Sequence, residues 1–271
     1  MGKKIKLLLK DILIRLASND ISIKAIERLV YEGEYLLGIG AGGGCESSGE
    51  SGVIKKLREQ NSESLCIFDV GANIGEYTEL AESLLAGSNY EIHAFEPSKY
   101  TYNILQQRIS SSNVKLNNFA LGKDKGESYL YYDKLGSGIA SLTQRKLDYL
   151  DIKFDKHEVV SITTIDEYCF QKNISKIHLL KLDVEGHELD VLNGAIMLFR
   201  KSLIEIVTFE FGGCNIDTRT FLRDFFSFFQ DLGMTIFRIT PTGGLYPLYT
   251  YKEKYENFRT TNYVAIQQSL L

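Results

Sequence analysis

The sequence predicts an α/β protein built around one mostly parallel β-sheet that ends in antiparallel strands. From residue 65 onward, short apolar runs alternate with helical patterns, and this alternation is typical of βαβ units in a parallel sheet. Near the end of the chain, two strand patterns at residues 234–240 and 261–267 have no helix between them. We therefore expect a Rossmann-like sheet of seven strands, with the C-terminal strand antiparallel to the rest.

The amino-acid composition argues against several classes of protein. A net charge of −4, from 31 basic and 35 acidic residues, does not suit a polyanion, so we expect no nucleic-acid partner. The sequence contains no run of about 18 apolar residues, so we predict no transmembrane segment. The cysteines form no CxxC pair, which argues against a zinc site or a disulfide scaffold and favours reduced thiols in a cytoplasmic protein. There are four of them: Cys45, Cys66, Cys169 and Cys214.

Residues 1–50 are expected to form a helical extension and a glycine-rich lid ahead of the main domain at 51–271. Between Ile5 and Leu16, apolar residues recur at helical spacing opposite lysines, which predicts an amphipathic helix. We expect it to pack on the main domain or on a second subunit, as in a homodimer. The alternative is peripheral contact with an anionic membrane. A second short helix is expected at 22–30.

The glycine-rich run at residues 38–44 resembles a phosphate loop only superficially. No Lys-Ser/Thr pair follows it, and a helix does not begin directly after it, as a P-loop requires. We expect a flexible lid or linker here. In the alternative, Ser48, Gly49 and Glu50 close over a ligand.

The remaining elements follow from the alternation of patterns. The third strand is followed by an inserted β-hairpin within about residues 123–163, which carries a mobile tip and is the best candidate for acceptor recognition. Strands are expected at 65–70, 90–95, 114–120, 177–182 and 203–211, and helices at 53–60, 75–86, 98–110, 166–172, 187–199 and 218–232.

A glycine-rich turn follows the first strand, in the run Asp69-Val70-Gly71-Ala72-Asn73-Ile74-Gly75. At the carboxyl edge of a parallel sheet, such a turn lets backbone N–H groups and a helix N-terminus approach a nucleotide-like ligand. The next strand ends on Glu96-Pro97, where an acid can bind ribose hydroxyls. We therefore predict Glu96 as the ribose ligand.

A third motif, Leu180 to Leu189, places several ionisable side chains beside one strand end. Asp183 ends an apolar strand, and Glu185, His187 and Glu188 follow in the turn. A helix start enriched in acids would explain the glutamates alone, but it leaves Lys181 and Asp183 on a buried strand unexplained. The motif therefore indicates a catalytic site.

Together these motifs resemble the FkbM family of S-adenosylmethionine-dependent methyltransferases. The resemblance covers about residues 47–266 and implies a class I methyltransferase fold, S-adenosylmethionine as the cofactor, and transfer of a methyl group to a hydroxyl. It favours a sugar hydroxyl in a polysaccharide or glycolipid precursor as the acceptor. O-methylation of a polyketide or other small molecule is one alternative, and a non-catalytic subunit of a glycan-assembly complex is another. It rests on Asp69–Gly75, Phe95–Pro97, Ala120–Gly122, Thr164–Asp166 and Lys181–Glu188.

The resemblance also implies residue roles. Because the attacking hydroxyl must lose a proton, we also expect a catalytic base among Asp183, Glu185 and His187, with His187 or Asp183 favoured, and Glu210 as a further acid lining the site. No residue is assigned to a metal, although Mg²⁺ held by the acids is an alternative. Cofactor contacts fall to Asp69, Val70, Gly71, Ala72, Asn73, Gly75, Glu96, Pro97, Asn118, Phe119, Ala120 and Asp183.

Overall fold

The structure is a computed structural model and describes residues 14, 17, 19–44, 47–60 and 64–271. Its centre is an eight-stranded sheet with the strand order β10-β9-β11-β8-β7-β1-β2-β3. A small second sheet has the order β4-β6-β5. The strands are β1 Leu65–Val70, β2 Tyr90–Phe95, β3 Val114–Asn117, β4 Ala120–Leu121, β5 Gly126–Tyr132, β6 Lys156–Thr163, β7 Ile177–Leu182, β8 Ile204–Phe211, β9 Met234–Ile239, β10 Leu245–Leu248 and β11 Thr261–Gln267.

Helices cover both faces of the large sheet. Among the described residues, none of them has the length and apolar composition needed to cross a bilayer. The helices are α1 Asp20–Leu36, α2 Ser51–Gln60, α3 Glu76–Leu85, α4 Lys99–Arg108, α5 Ile165–Lys172, α6 Glu188–Asn193, α7 Ile196–Arg200, α8 Cys214–Thr218 and α9 Leu222–Asp231.

The predicted Rossmann-like architecture is confirmed, but the number of strands is wrong. Strands β3, β2, β1, β7 and β8 are parallel, and β11 is antiparallel to both of its neighbours, β8 and β9. The sheet has eight strands rather than seven, because Leu245–Leu248 turns back after residues 241–244 and pairs antiparallel with β9. The sequence LYPL is too short to show a period-2 pattern, and its proline is tolerated because β10 is an edge strand.

The core forms two layers because neighbouring residues of each central strand point to opposite faces. Phe68 of β1 and Leu180 of β7 pack with the aromatic face of α9 on one side. Ile67 and Leu179 pack with α2 and α3 on the other side. The central strands β1 and β7 are buried from end to end apart from Cys66, which fixes the position of the turns at their carboxyl ends.

Side-chain caps hold the helices of the Thr164-Ile165-Asp166 motif. Thr164 accepts the backbone N–H of Glu167 and caps α5. The Asp166 carboxylate accepts the N–H groups of Met197 and Leu198 at the start of α7. This motif therefore has a structural explanation, and the predicted single helix at 187–199 is divided into α6 and α7.

The insert contains the expected antiparallel pair, since β5 pairs with β6 from Gly126 to Tyr132. The hairpin is part of a three-stranded sheet, because Ala120–Leu121 pairs in parallel with the end of β6. The predicted third strand at 114–120 is correspondingly shorter and ends at Asn117. A long connection, 133–155, joins β5 to β6 and lies over the carboxyl edge of the large sheet.

The predicted amphipathic helix between Ile5 and Leu16 lies outside the described residues, apart from Ile14. The second predicted helix is longer than expected and forms α1, which has no buried residue. The glycine-rich run after it packs against the body of the protein: a Cβ on Gly38 would lie 2.1 Å from the carbonyl oxygen of Ile239. Ser48 and Glu50 are buried, as the alternative of a closed segment requires.

Candidate active site

Two turns meet at the carboxyl edge of the large sheet, one after β1 and one after β7. We call residues 71–75 the glycine turn and residues 183–188 the acidic turn. The strands are parallel neighbours, and the N–H of Asp183 donates to the carbonyl of Val70 over 3.0 Å. A Cβ on Gly71, which has φ +82°, would lie 1.8 Å from the carbonyl oxygen of Asp183. This contact is possible only for glycine.

Glu96, at the end of β2, is bound to the glycine turn. Its Oε2 accepts the N–H of Asn73 over 3.0 Å, and its Oε1 accepts the N–H of Ser98 over 2.8 Å. Burial raises the pKa of Glu96 to about 7, against these two hydrogen bonds, which lower it. Each carboxylate oxygen keeps a lone pair for a further donor.

A cavity of about 680 Å³ lies between these turns and the insert, and we call it the insert cavity. Its floor is formed by residues from the ends of β1, β2, β3 and β7, including Gly71, Glu96 and Asp183. Its roof comes from the insert, with Ser137, Gly138 and residues 140–142. The predicted site residues that line this cavity are Val70, Gly71, Asn73, Glu96, Pro97, Phe119, Ala120, Asp183, Glu185 and His187.

A second cavity of about 720 Å³, the lysine cavity, lies on the other side of the glycine turn. Its charged centre is Lys181, whose Nζ is 3.2 Å from Asp183 Oδ2 and 3.5 Å from Asp69 Oδ1. Burial opposes the charged form of Lys181, but Asp183 and Asp69 outweigh it and raise its pKa. The lysine cavity is lined by Gly42, Gly44, Glu50, Gly71, Ala72, Asn73, Ile74, Glu76, Tyr77, Lys181, Leu182, Asp183, Glu210 and Asn262.

The acidic turn is held in place by hydrogen bonds to Glu188 and by contacts from the insert. The buried Glu188 accepts the N–H groups of Val184 and Gly186 with Oε1, at 3.1 and 3.2 Å. From the insert, Ser141 donates to the carbonyl of Glu185 over 2.8 Å, and Arg145 pairs with the Glu185 carboxylate over 2.7 Å. Burial, and then the charge of Asp183, raise the pKa of Glu185 to about 8 despite Arg145.

His187 lines the insert cavity, but both ring nitrogens have partners in the chain. Nδ1 is 2.8 Å from Asp190 Oδ2, and Nε2 is 3.0 Å from Thr143 Oγ1. Asp183 differs, because Lys181 contacts only its Oδ2. Among the residues that the structure describes, none donates a hydrogen bond to Oδ1 of Asp183.

A third opening, the side cleft, has a volume of about 980 Å³ and reaches the acidic turn from outside. Glu185 and Glu210 form its inner end, and Tyr149, 77% exposed, lies at its rim. Burial and the charges of Asp183 and Glu185 raise the pKa of Glu210 well above its usual value. Other residues that line the side cleft are Tyr31, Arg145, Leu147, Leu150, Phe258 and Arg259.

Three predicted cofactor residues line none of these cavities and contact the residues that do. The fully buried Asp69 accepts the hydroxyl of Thr78 over 2.7 Å, which fixes α3 to β1. The Asn118 amide donates to the carbonyls of Glu96 and Pro97. Gly75 donates its N–H to the carbonyl of Ala72 over 2.9 Å, and Ala72 lines the lysine cavity.

Several residues of the site were not found from the sequence. Ser141, Thr143 and Arg145 lie some forty residues before the acidic turn, and no local pattern marks them. Asn262 lies near the start of an apolar strand, where its side chain gives no sequence signal. Tyr77, whose ring is 5.0 Å from Lys181 Nζ, is in the amphipathic pattern of α3.

The parallel sheet with its antiparallel β11, the glycine turn and the acid after β2 define a Rossmann-like protein whose candidate ligand site lies at the carboxyl edge of the sheet. Residues 69–234 match the methyltransferase FkbM domain, which is more than half of the chain. The chain belongs to this family of methyltransferases.

Individual relatives are more distant. The hexuronic acid methyltransferase AglP of Haloferax volcanii is 26% identical over 146 residues, covering 54% of this chain and 56% of AglP. Methyltransferase 1 of Beauveria bassiana is 29% identical over 145 residues, covering 47% and 57% of the two chains. The crystal structure of methyltransferase FkbM from Methylobacillus flagellatus KT shares 14% identity at a TM-score of 0.48, covering 77% of this chain and 45% of that chain. This chain thus spans a little over half the length of both curated relatives.

Proposed function

We propose that this protein is an S-adenosylmethionine-dependent O-methyltransferase that methylates a sugar hydroxyl of a polysaccharide or glycolipid precursor. The observation that carries the proposal is that Glu96 and Asp183, which end β2 and β7, line one cavity together with the glycine turn. In this arrangement Glu96 accepts hydrogen bonds from the ribose hydroxyls, and Phe119 and Ala120 contact the adenine. The methionine part then passes Gly71 toward the lysine cavity.

The lysine cavity suits the charges of a methionine end. Lys181 and the N-terminus of α3 favour the carboxylate, while Glu50 and Asp183 favour the ammonium and the sulfonium. Each of these residues lines the lysine cavity. This assignment leaves Ala72 and Asn73 as backbone contacts of the cofactor.

The acceptor enters through the side cleft, whose inner end is Glu185 and Glu210. Exposed aromatic rings at the rim, such as Tyr149, can pack on the apolar face of a sugar. Carboxylates at the inner end can accept hydrogen bonds from its hydroxyls. The name of AglP, a hexuronic acid methyltransferase, supports a sugar as the acceptor.

Methyl transfer is a displacement in which the carbon–sulfur bond breaks as the carbon–oxygen bond forms, leaving S-adenosylhomocysteine. The free oxygen of Asp183 orients the hydroxyl and accepts its proton, Glu185 lies beside it, and His187 holds the turn through Asp190 and Thr143. Alignment and exclusion of water supply much of the rate, and the proton transfer contributes about 10²–10⁴-fold.

Calorimetry of the full chain with S-adenosylmethionine and S-adenosylhomocysteine tests the cofactor, with NAD as the control. We expect micromolar binding of the first two and none of NAD. Transfer of a labelled methyl group to glycan extracts then tests the reaction. Cofactor binding without transfer to any glycan would point to a small-molecule hydroxyl or a non-catalytic subunit, and binding of neither cofactor would refute the proposal.

A further inference from the structure

Three carboxylates from two adjacent strand ends face a common volume where the cavities meet. Asp183, Glu185 and Glu210 each offer an oxygen, and these oxygens all lie within 4.8 Å of one another. Asp183 lines the insert and lysine cavities, Glu185 lines the insert cavity and the side cleft, and Glu210 lines the lysine cavity and the side cleft. The cluster is therefore accessible from the proposed cofactor and acceptor positions.

The chain leaves part of each carboxylate uncommitted. Lys181 contacts Oδ2 of Asp183, and Arg145 contacts Oε2 of Glu185. Among the residues that the structure describes, neither the second oxygen of these two groups nor either oxygen of Glu210 accepts a hydrogen bond. At least one oxygen of each group is therefore available to a ligand.

Asn262 provides an independent observation at the same place. It is 4% exposed, lines the lysine cavity with Asp183 and Glu210, and is the cross-strand neighbour of Glu210. Its side-chain amide forms no hydrogen bond with the described part of the chain, although a buried amide usually has partners. Asn262 thus brings a buried side-chain amide, which carries a neutral oxygen, to the lining of the cavity beside the acids.

The nearby cations do not balance this charge. Lys181 is shared between Asp183 and Asp69, and Arg145 is shared between Glu185 and Asp217. Glu210 has no cationic partner among the described residues. Acidic groups therefore outnumber basic ones where the three carboxyl groups converge.

We propose that Asp183, Glu185, Glu210 and Asn262 form a binding site for a divalent cation that prefers oxygen ligands, such as Mg²⁺ or Ca²⁺. Two ligands on opposite sides of one ion are separated by about 4.2 Å for Mg²⁺ and about 4.6–5.2 Å for Ca²⁺. Oxygens that all lie within 4.8 Å of one another are close enough to bind one such ion together. Carboxylate and amide oxygens are the donors that both ions select.

The cation has a role that rests on the proposed function. Because Glu185 and Glu210 form the inner end of the side cleft, an ion held by them presents its remaining coordination positions to the acceptor. Two adjacent hydroxyls of a sugar can occupy these positions, which fixes the hydroxyl that faces the methyl group. The cation site thereby favours acceptors that carry a vicinal diol.

Titration of the full chain with Mn²⁺, followed by the electron paramagnetic resonance signal of the free ion, tests the site without cofactor or acceptor. We expect one Mn²⁺ per chain, displaced by Mg²⁺ or Ca²⁺. Glu210→Gln should weaken binding at least tenfold and Asn262→Ala severalfold, whereas Asn262→Asp should tighten it. Glu205→Gln is the matched control, since Glu205 is on the same strand and pairs with Lys176 at its opposite end; it should bind like the unmodified protein.

The absence of Mn²⁺ binding at millimolar concentration overturns the cation site. Binding that is unchanged in both Glu210→Gln and Asn262→Asp, with folding verified by circular dichroism, overturns it as well. Calorimetry with S-adenosylmethionine separates the two proposals. Cofactor binding without Mn²⁺ binding leaves the methyltransferase function intact, and Mn²⁺ binding without cofactor binding leaves the cation site intact.

Discussion

The glycine turn and the acidic turn lie side by side, yet they face the cavities with different chemistry. The glycine turn offers main-chain groups, and its conformation depends on positive φ at Gly71, Asn73 and Gly75. The acidic turn offers the carboxylates of Asp183 and Glu185, which partner side chains hold in place. A site built from backbone is sensitive to added volume, whereas a site built from carboxylates is sensitive to lost charge.

This difference separates binding from catalysis. The proposed cofactor contacts of the glycine turn are made by groups that every residue possesses, so only shape limits the sequence there. The proposed acceptor contacts require particular oxygen atoms, so even an isosteric substitution removes their function. The predictions below test this separation.

The largest effect should follow from adding one methyl group to the glycine turn. Gly71→Ala places a Cβ 1.8 Å from the Asp183 carbonyl oxygen at φ +82°, so both turns must move. We expect at least a hundredfold loss of cofactor affinity by calorimetry, and a loss of about 3 kcal/mol or more in the free energy of unfolding by denaturant titration.

Gly126→Ala is the control for this change. Gly126 is at the start of β5, and a Cβ there would have no heavy atom within 4 Å. Affinity and stability should stay near those of the unmodified protein. If Gly71→Ala binds the cofactor normally, the glycine turn does not form the site by its shape.

Removal of one charge from the acidic turn should affect the reaction more than it affects cofactor binding. Asp183→Asn keeps the volume but loses the proton acceptor, so kcat for methyl transfer should fall about 10²–10⁴-fold. Cofactor affinity should change less than about tenfold, since the backbone contacts remain. An equal loss of affinity and kcat would contradict the separation of roles between the turns.

Glu96 combines features of both turns, because its carboxylate accepts a backbone N–H of the glycine turn and is also proposed to bind ribose. Glu96→Gln should weaken cofactor binding by about 10–100-fold, the effect of a lost charge-assisted hydrogen bond, measured by calorimetry at pH 8. The fold should be retained, because one of the two N–H donors, Asn73 or Ser98, can still donate to the single amide oxygen.

The proposed role of Glu96 in binding the ribose also predicts the direction in which cofactor affinity changes with pH. The pKa of Glu96 is raised to about 7 by burial, so the carboxyl is increasingly protonated as the pH falls below 7. The ionised form accepts ribose hydroxyls better, so affinity should rise between about pH 6 and pH 8 and level off above. In Glu96→Gln this rise should disappear; a rise of the same size in the variant would assign it to another group.

The same raised pKa affects stability in the opposite direction. The folded state holds the Glu96 proton up to about pH 7, whereas the unfolded chain loses it near the model-peptide value of about 4.3. Folding without cofactor should therefore lose stability as the pH rises from about 4.5 to 7. Thermal denaturation of the protein and of Glu96→Gln at both ends of this range measures the difference.

The smallest effect should come from the contact between the insert and the acidic turn. Ser141→Ala removes the hydrogen bond to the Glu185 carbonyl, which should lower the free energy of unfolding by about 1 kcal/mol. The KM for the acceptor should rise a fewfold with little change in cofactor affinity. Ser227→Ala, which removes a hydrogen bond within α9 on an exposed face, should leave KM unchanged.

The sequence predicted the ends of β1, β2, β7 and β8 well, because each of these strands closes a buried apolar run just before an ionisable or glycine residue. Asp183 and Glu96 were found in this way, and both line the insert cavity. The parallel order of the sheet and the antiparallel end also followed from local patterns. All of these features depend on residues that are close together in the sequence.

The rest of the site depends on long-range packing. Arg145 reaches Glu185 across 40 positions of the chain, and the apolar pattern of its segment carries no information about that contact. Asn262 meets Glu210 only because β11 pairs antiparallel with β8. The short strand β10 is formed by its pairing with β9 rather than by its own pattern, so the count of seven strands was one too few.

The insert gives the two ligands unequal access. Residues 137–142 lie over the insert cavity and are held to the acidic turn by Ser141 and Arg145, whereas the side cleft opens at an exposed Tyr149. S-adenosylhomocysteine must therefore leave past residues that are held to the acidic turn by hydrogen bonds, whereas the methylated acceptor can leave through the side cleft. We expect release of S-adenosylhomocysteine to limit turnover, with a burst of one methylated acceptor per chain in the first cycle.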